Sequence, residues 1–296
     1  MTTNDLALSA FDGTRIAYRV EGSGPPLVLT NGLTTSISFW KYLRPIWLRR
    51  HTIVTWDLPG HGRSGPALSA EGARFDAHPS IIRQIMHATG IERATQIGWS
   101  TGSQSVLETY RQMPELCQSL VLLLGGAGRT LDHTRLPLPG KAIDWLAQKL
   151  PQAVFSAIFH ALAAAFRSPA APIAGRLFGL VGPDLRHADL RELTDHIATV
   201  DPITLQRMLH SSQEHDAHEV LSSLHVPLLI VAGEQDPFAP AALVGERLRR
   251  AAPGSELVRL ADATHTAMLE QPEHIAELIE RFLQTQGPKG ATPMLH

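Results

Sequence analysis

The 296-residue sequence has a single cysteine, Cys117, which excludes an internal disulfide framework and fits a small buried apolar side chain. Charge is sparse and balanced: charged residues are 18% of the chain, the formal net charge is −2, and no dense Lys/Arg tract occurs. Nucleic acid therefore has no electrostatic footprint here and is not expected as a partner. Long hydrophobic runs are also missing. The most apolar window, AVFSAIFHALAAAF from Ala153 to Phe166, contains His160 and is too short for a membrane span, which needs roughly 20 residues. The opening residues, MTTNDLALSAFDG, offer neither a basic start nor an apolar run suited to secretion, so the cytoplasm is the expected location. There is no G-x-x-x-x-G-K-S/T phosphate loop and no internal repeat, and nothing implies a cofactor. The histidine-rich stretch HSSQEHDAHEV (210–220) lacks the H-E-x-x-H spacing of a zinc helix and reads as a solvated helical face, so no metal is expected.

What is present is the composition of a folded protein, with 44% hydrophobic residues. LALSA and TRIAYRV flank Asp12-Gly13, a dipeptide suited to a hairpin turn, and predict two antiparallel strands. PLVLT (26–30), HTIVTW (51–56), ATQIGW (94–99), SLVLLL (119–124), VPLLIVAG (226–233) and SELVRL (255–260) are short apolar runs. Between them, helical periodicity at 36–48, 74–89 and 102–113 predicts a mostly parallel, eight-stranded sheet covered on both faces, an α/β fold. After Gly125-Gly126-Ala127-Gly128, read as the exit from the sheet, strand signals vanish for about ninety residues. Helical spacing punctuated by Pro151, Pro169, Pro172, Pro183 and Pro202 predicts an inserted helical segment there. A last helix is expected from about Pro272 to Gln284, followed by a flexible tail, 286–296.

QIGWSTGSQ, residues 96–104, places Ser100 between Gly98 and Gly102, after an apolar run and before VLETYRQM, which has helical character. A serine hydroxyl is a weak nucleophile at neutral pH; it needs a base for its proton and donors for the charge that develops on the substrate oxygen. A sharp strand-to-helix turn lifts the hydroxyl clear and aims the next backbone N–H at the reacting carbonyl. It strains the serine and brings strand and helix together, which is why small residues stand two positions to either side.

With this motif the chain resembles the α/β-hydrolase family from about residue 10 to residue 285, apart from the insertion. The resemblance implies a core of 1–128 and 224–285, a helical cap of 129–223, and a catalytic triad in the order serine, acid, histidine. The matching positions are Ser100, Asp236 in LLIVAGEQDPFAP and His265 in ADATHTAMLEQP, both partners just past strands; Glu234 and Asp262 are second choices. The loop after PLVLT, Asn31-Gly32-Leu33, stands where the family often has His-Gly, so the Leu33 and Thr101 backbone N–H groups are the implied oxyanion hole. WDLPGHGRSG (56–65) is also family-like and reads as a turn braced by Asp57 and His61. Asn31, Trp99, Trp145, Phe155 and Phe159 are candidate substrate contacts. The apolar cap residues, among them Leu146, Val154, Ile158, Phe166, Leu177 and Phe178, are expected to pack on the core or to form a dry pocket ceiling.

The activity implied is hydrolysis of a neutral, largely hydrophobic carboxylic ester, a small-molecule substrate, through an acyl-enzyme. A lactonase, a carbon–carbon bond hydrolase, an acyl transferase to alcohol or peroxide, and a ligand-binding receptor with little turnover are the alternatives. A serine at the elbow argues against haloalkane dehalogenation, which needs a carboxylate there. The sequence is silent on oligomeric state.

Overall fold

The computed structural model describes residues 5–135, 140–168, 173, 175–176 and 181–285; the expectations placed on Pro169, Pro172, Leu177, Phe178 and the tail 286–296 lie outside them. Eight strands form one sheet: β1 Leu6–Ser9, β2 Arg15–Gly22, β3 Pro26–Thr30, β4 Thr52–Trp56, β5 Ala94–Trp99, β6 Cys117–Leu123, β7 Leu228–Gly233 and β8 Glu256–Leu260. Their order is β1-β2-β4-β3-β5-β6-β7-β8. β1 and β2 run antiparallel, turning at Asp12-Gly13 with Gly13 at a φ of 87°, and β2 pairs antiparallel with β4; the remaining pairs are parallel. From β3 the chain adds β4 on one side and later β5 on the other. The loops leaving β3 and β5 therefore part at a topological switch point, where open α/β sheets leave a crevice.

Period-two alternation divides the strand side chains between the two faces. Leu27, Leu29, Ile53, Ile97, Val121 and Leu123 meet α1 (Leu43–Trp47) and α11 (Pro272–Thr285) on one face. Val28, Val54 and Trp56 pack with α2 (His78–Ala88), and Leu120, Leu122, Leu228 and Ile230 with α3 (Gly102–Gln112), on the other. The helix expected over 36–48 is split into a 3-10 turn, Ile37–Trp40, and the short α1. Pro45 lacks the N–H that would have continued a helix from residue 41, so it is tolerated only in the first turn of a new one. Pro79 sets the start of α2 in the same way, later than expected.

Between β6 and β7 run α4 (Gly140–Lys149), α5 (Gln152–Phe166), α6 (His187–Ile197), α7 (Pro202–Glu214) and α8 (His218–Leu221), and α9 (Glu246–Ala251) and α10 (Ala267–Glu270) follow. α7 is capped by Asp201, whose Oδ1 accepts the Thr204 N–H at 2.8 Å. The 210–220 stretch is not one solvated face. α7 ends at Glu214, and His215 is buried with its Nε2 2.8 Å from the buried Glu108 carboxylate, while His218 starts α8 and contacts Asp216.

Burial holds His61 and His78 neutral. His78 is enclosed, with Nδ1 2.7 Å from Ser105 Oγ and its ring between Trp56 and Phe75; burial pushes its pKa down to about 3. His61 donates from Nδ1 to the Pro59 carbonyl and accepts the Thr34 N–H at Nε2, and burial brings it down to about 4. Both remain unprotonated in the folded chain where the unfolded chain binds a proton. Their stabilisation is complete above the ordinary histidine pKa near 6.5 and is lost as pH falls from there towards 4 and 3, at about 1.4 kcal/mol per pH unit per proton. Urea midpoints should therefore drop between pH 6.5 and 4.5, before most carboxylates titrate, and His78→Gln should flatten that slope; a midpoint constant over this window would refute the assignment.

Candidate active site

Ser100 occupies the turn between β5 and α3 with a φ of 57°, a left-handed backbone that a side-chain-bearing residue adopts only under constraint. Its own N–H is tied to the Leu123 carbonyl at 2.9 Å, at the end of β6. A Cβ on Gly98 would collide with the backbone of Gly102 and Ser103, and one on Gly102 with the carbonyls of Thr30 and Asn31. The two glycines thus let strand, helix and the β3 loop meet at one point. Gly125, read from the sequence as part of an exit from the sheet, belongs to this construction too: a Cβ there would strike the Ser100 carbonyl and the Ser103 hydroxyl.

His265 lies in the loop after β8, with Nε2 2.9 Å from Ser100 Oγ and Nδ1 2.9 Å from Asp236 Oδ2. Asp236 is fully buried after β7, and its other oxygen accepts the Phe238 and Ala239 N–H groups at 2.8 and 3.0 Å. Both carboxylate oxygens therefore have donors, which is what keeps a buried carboxylate tolerable. The imidazole is clasped by Phe238, ring centroids 4.7 Å apart, and by Trp99, 6.0 Å apart. The three side chains singled out in the sequence are thus brought together, whereas Glu234 pairs with Arg259 and plays no part in this chain of hydrogen bonds.

The neighbouring candidates fare differently. Asn31 is buried, its amide donating to the Trp56 carbonyl at 2.8 Å and accepting the Trp40 indole N–H at 2.6 Å, so it braces its loop and offers nothing to a substrate. Trp99 is 2% exposed and donates its indole N–H to the His265 carbonyl, so it supports the histidine from below. Trp145 points to solvent, while Phe155 and Phe159 stack on each other on α5, half-buried, and none of the three lines the crevice beside Ser100. The Leu33 N–H is not free: it donates to the Thr101 hydroxyl at 2.9 Å. Asp57 accepts the Ile37 and Arg63 N–H groups, and His61 grips Thr34, so this turn holds the β3 loop as the sequence suggested. Burial raises the Asp57 pKa even so.

The crevice that Ser100 and His265 share has a volume of about 20 Å³, room for one water and far less than the several hundred Å³ of a ligand site. Its apolar wall is Leu124, Ala127, Phe238 and Val244. From the inserted segment come Arg129, Thr130, His133 and His218; Val154, Ile158 and Phe166 lie exposed elsewhere, whereas Val181, Leu185 and Met208 of the same segment are buried against the core. Arg129 is paired with Asp132 at 2.9 Å, and Arg247 donates to His133 Nε2 at 2.9 Å. Glu270 adds a set of contacts that no motif in the sequence announces. The Glu270 carboxylate accepts the hydroxyls of Thr264 and Thr266, which flank His265, and the Gly182 N–H of the inserted segment. The only trace in sequence is T-H-T followed by a glutamate on the next turn.

The profile of a family described as alpha/beta hydrolase fold matches residues 25–272. The chain belongs to the α/β-hydrolase family. Among relatives within reach of sequence comparison, an uncharacterised protein of Mycobacterium tuberculosis is 26% identical over 96% of this chain and 82% of its own length. A pimeloyl-[acyl-carrier protein] methyl ester esterase of Xylella fastidiosa is 26% identical over 90% of this chain and 98% of its own. The α/β-hydrolase architecture recurs in the crystal structure of the enol-lactonase from Burkholderia xenovorans LB400, with a TM-score of 0.75 at 21% identity, covering 94% of this chain and 100% of that one.

The close fit around Ser100 has a measurable consequence. Gly125→Ala should lower the thermal midpoint, overpacking of this kind costing about 1–3 kcal/mol, whereas Gly126→Ala, whose Cβ would meet only a Val244 methyl at 3.3 Å, should be nearly neutral. Equal midpoints for the two variants would contradict the packing described.

Proposed function

We propose that this α/β-hydrolase is a carboxylesterase-type serine hydrolase, with Ser100 as nucleophile, His265 as base and acid, and Asp236 as the group that orients the imidazole. The observation that carries this reading is the unbroken relay Ser100 Oγ–His265–Asp236, with both links at 2.9 Å, on a strained elbow. An esterase among its relatives, similar over 90% of this chain, supports the same reaction class.

In this mechanism Asp236 accepts the Nδ1–H, leaving Nε2 to take the Ser100 proton as Oγ attacks the ester carbonyl. The imidazolium then protonates the departing alkoxide, and a water activated by the same nitrogen cleaves the acyl-enzyme. The negative oxygen of each tetrahedral intermediate is held by the Thr101 N–H, which as a helix-start amide has no intrahelical acceptor, and by the Leu33 N–H. To serve, Leu33 must exchange the Thr101 hydroxyl for the substrate oxygen. The Thr101 Oγ1 thus competes with the oxyanion for this donor. The apolar acyl part of a neutral ester fits against Leu124, Phe238 and Val244. The small crevice requires the segment 129–223 to shift as a cap over the core of 1–128 and 224–285; the contributions of Arg129, Thr130, His133 and His218 to its lining support that division.

Fluorophosphonate labelling should modify Ser100 stoichiometrically and fail in Ser100→Ala, and Ser100→Ala or His265→Ala should lose several orders of magnitude in kcat with the fold retained. A folded protein that resists labelling would sink the enzyme reading. Among p-nitrophenyl esters, lactones and vinylogous diketones, the short esters should turn over best; turnover of only the other two classes would move the assignment to lactonase or carbon–carbon hydrolase. Releasing Leu33 from a hydrogen bond of about 1 kcal/mol, Thr101→Ala should raise kcat/KM by up to about fivefold. A hundredfold fall would instead make the hydroxyl itself an oxyanion donor.

A further inference from the structure

α5 is out of keeping with its surroundings. Over Gln152–Phe166 it carries no charged side chain, yet Ala163 alone is buried, and Val154, Ile158, Leu162 and Phe166 are 43%, 45%, 52% and 42% exposed. These four recur every fourth residue and lie on one side of the helix. Phe155, Phe159 and Ala163 form the neighbouring side, which is turned inward. On α4, Trp145 is 58% exposed, whereas Trp40, Trp47, Trp56 and Trp99 are all enclosed in the core. The apolar side of α5, four large side chains along one helix, marks an interaction site.

The charge of the segment that carries it points to the partner. Between residues 135 and 180, Arg135, Lys141, Lys149, Arg167 and Arg176 stand against one acid, Asp144, in a chain whose overall charge is −2. The five cations are all exposed, and only Arg167 has an acid partner among the described residues, Asp195 at 2.8 Å. A second copy of this chain would set these cations against each other. A bilayer surface carrying anionic headgroups would instead satisfy the cations while the apolar residues enter the headgroup–acyl boundary. No helix among the described residues is long and apolar enough to cross a membrane, so contact of this kind lies in the surface plane.

We propose that α5, with Trp145 and the cations of residues 135–176, is a docking face for an anionic lipid surface. The face is separate from the crevice at Ser100, so the proposal stands or falls independently of the hydrolase assignment. Trp145 is a built-in reporter because the other four tryptophans are already shielded.

The test is co-sedimentation of the full chain with vesicles of phosphatidylcholine alone and of phosphatidylcholine with phosphatidylglycerol, read together with tryptophan emission. Binding to the anionic vesicles, weakened by salt, with a blue shift that disappears in Trp145→Phe, is the expected result. Ile158→Asp with Leu162→Asp should abolish it, and both sites are exposed enough for the variant to fold, as an unchanged thermal midpoint would verify. Lys141→Glu and Lys149→Glu, which leave the apolar face intact, should each weaken partition by about fivefold or more. Failure to bind either vesicle, or binding indifferent to these substitutions, would overturn the proposal. So would a concentration-dependent dimer, seen by sedimentation velocity, that the Ile158→Asp/Leu162→Asp variant loses, since the face would then belong to a second copy.

Discussion

The backbone of Ser100 is the constraint on which the rest of the site depends. A left-handed serine costs on the order of 1–3 kcal/mol and persists only where its surroundings leave no alternative. Here those surroundings come from three separate stretches: β5 and α3 meeting at Gly98 and Gly102, the β3 loop lying over them, and the end of β6, where Leu123 holds the Ser100 N–H and Gly125 leaves space for the Ser100 carbonyl. Because the elbow is fixed to the sheet on both sides, the hydroxyl has one position, and the loops after β7 and β8 need only deliver Asp236 and His265 to it.

Those loops are braced by a second tier of buried polar groups. Asp236 is held by two backbone amides, the His265 carbonyl by the Trp99 indole, and the threonines beside His265 by Glu270. On the other side of the crevice, Asn31, Asp57 and His61 fix the β3 loop through Trp40, Trp56, Ile37 and Thr34. Each of these groups is costly to bury unless its partners are in place. The loops consequently order together, and a neutral His61 is part of that order because its Nε2 must accept a proton donor and cannot do so when protonated.

The division between what the sequence disclosed and what it hid follows the range of the interactions. The strands were legible because a parallel strand buried on both faces is a local apolar run, and Ser100 because glycines flank it just past such a run; Asp236 and His265 were singled out by the resemblance to the α/β-hydrolase family, whose acid and histidine positions they match. Helix starts at Pro45 and Pro79 were misjudged although the prolines were visible, because apolar periodicity continued across them. Glu270, Gly125 and the Thr101–Leu33 contact were illegible for another reason: each acts through a partner brought near by the fold, and nothing at residue 33 announces a hydroxyl 68 positions later. Apolar composition in the insertion was legible as well, but composition does not say which surface an apolar side chain will meet.

That last ambiguity bears on how the molecule works. The crevice of about 20 Å³ beside Ser100 has room for one water, and Arg129, Thr130, His133 and His218 of the inserted segment contribute to its lining. The same segment presents apolar side chains to the outside on α5. Other apolar side chains of the segment, Val181, Leu185 and Met208 among them, are buried in the core clusters, and Glu270, bonded to the Gly182 N–H, adds a polar tie between this segment and the loop of His265. Polar ties exchange with water at small net free-energy change, whereas a packed apolar ceiling resists opening in proportion to its area. The segment is held by both kinds of contact: Val181, Leu185 and Met208 tie it to the sheet by apolar burial, whereas the polar residues beside Ser100 can exchange their partners for water at smaller cost.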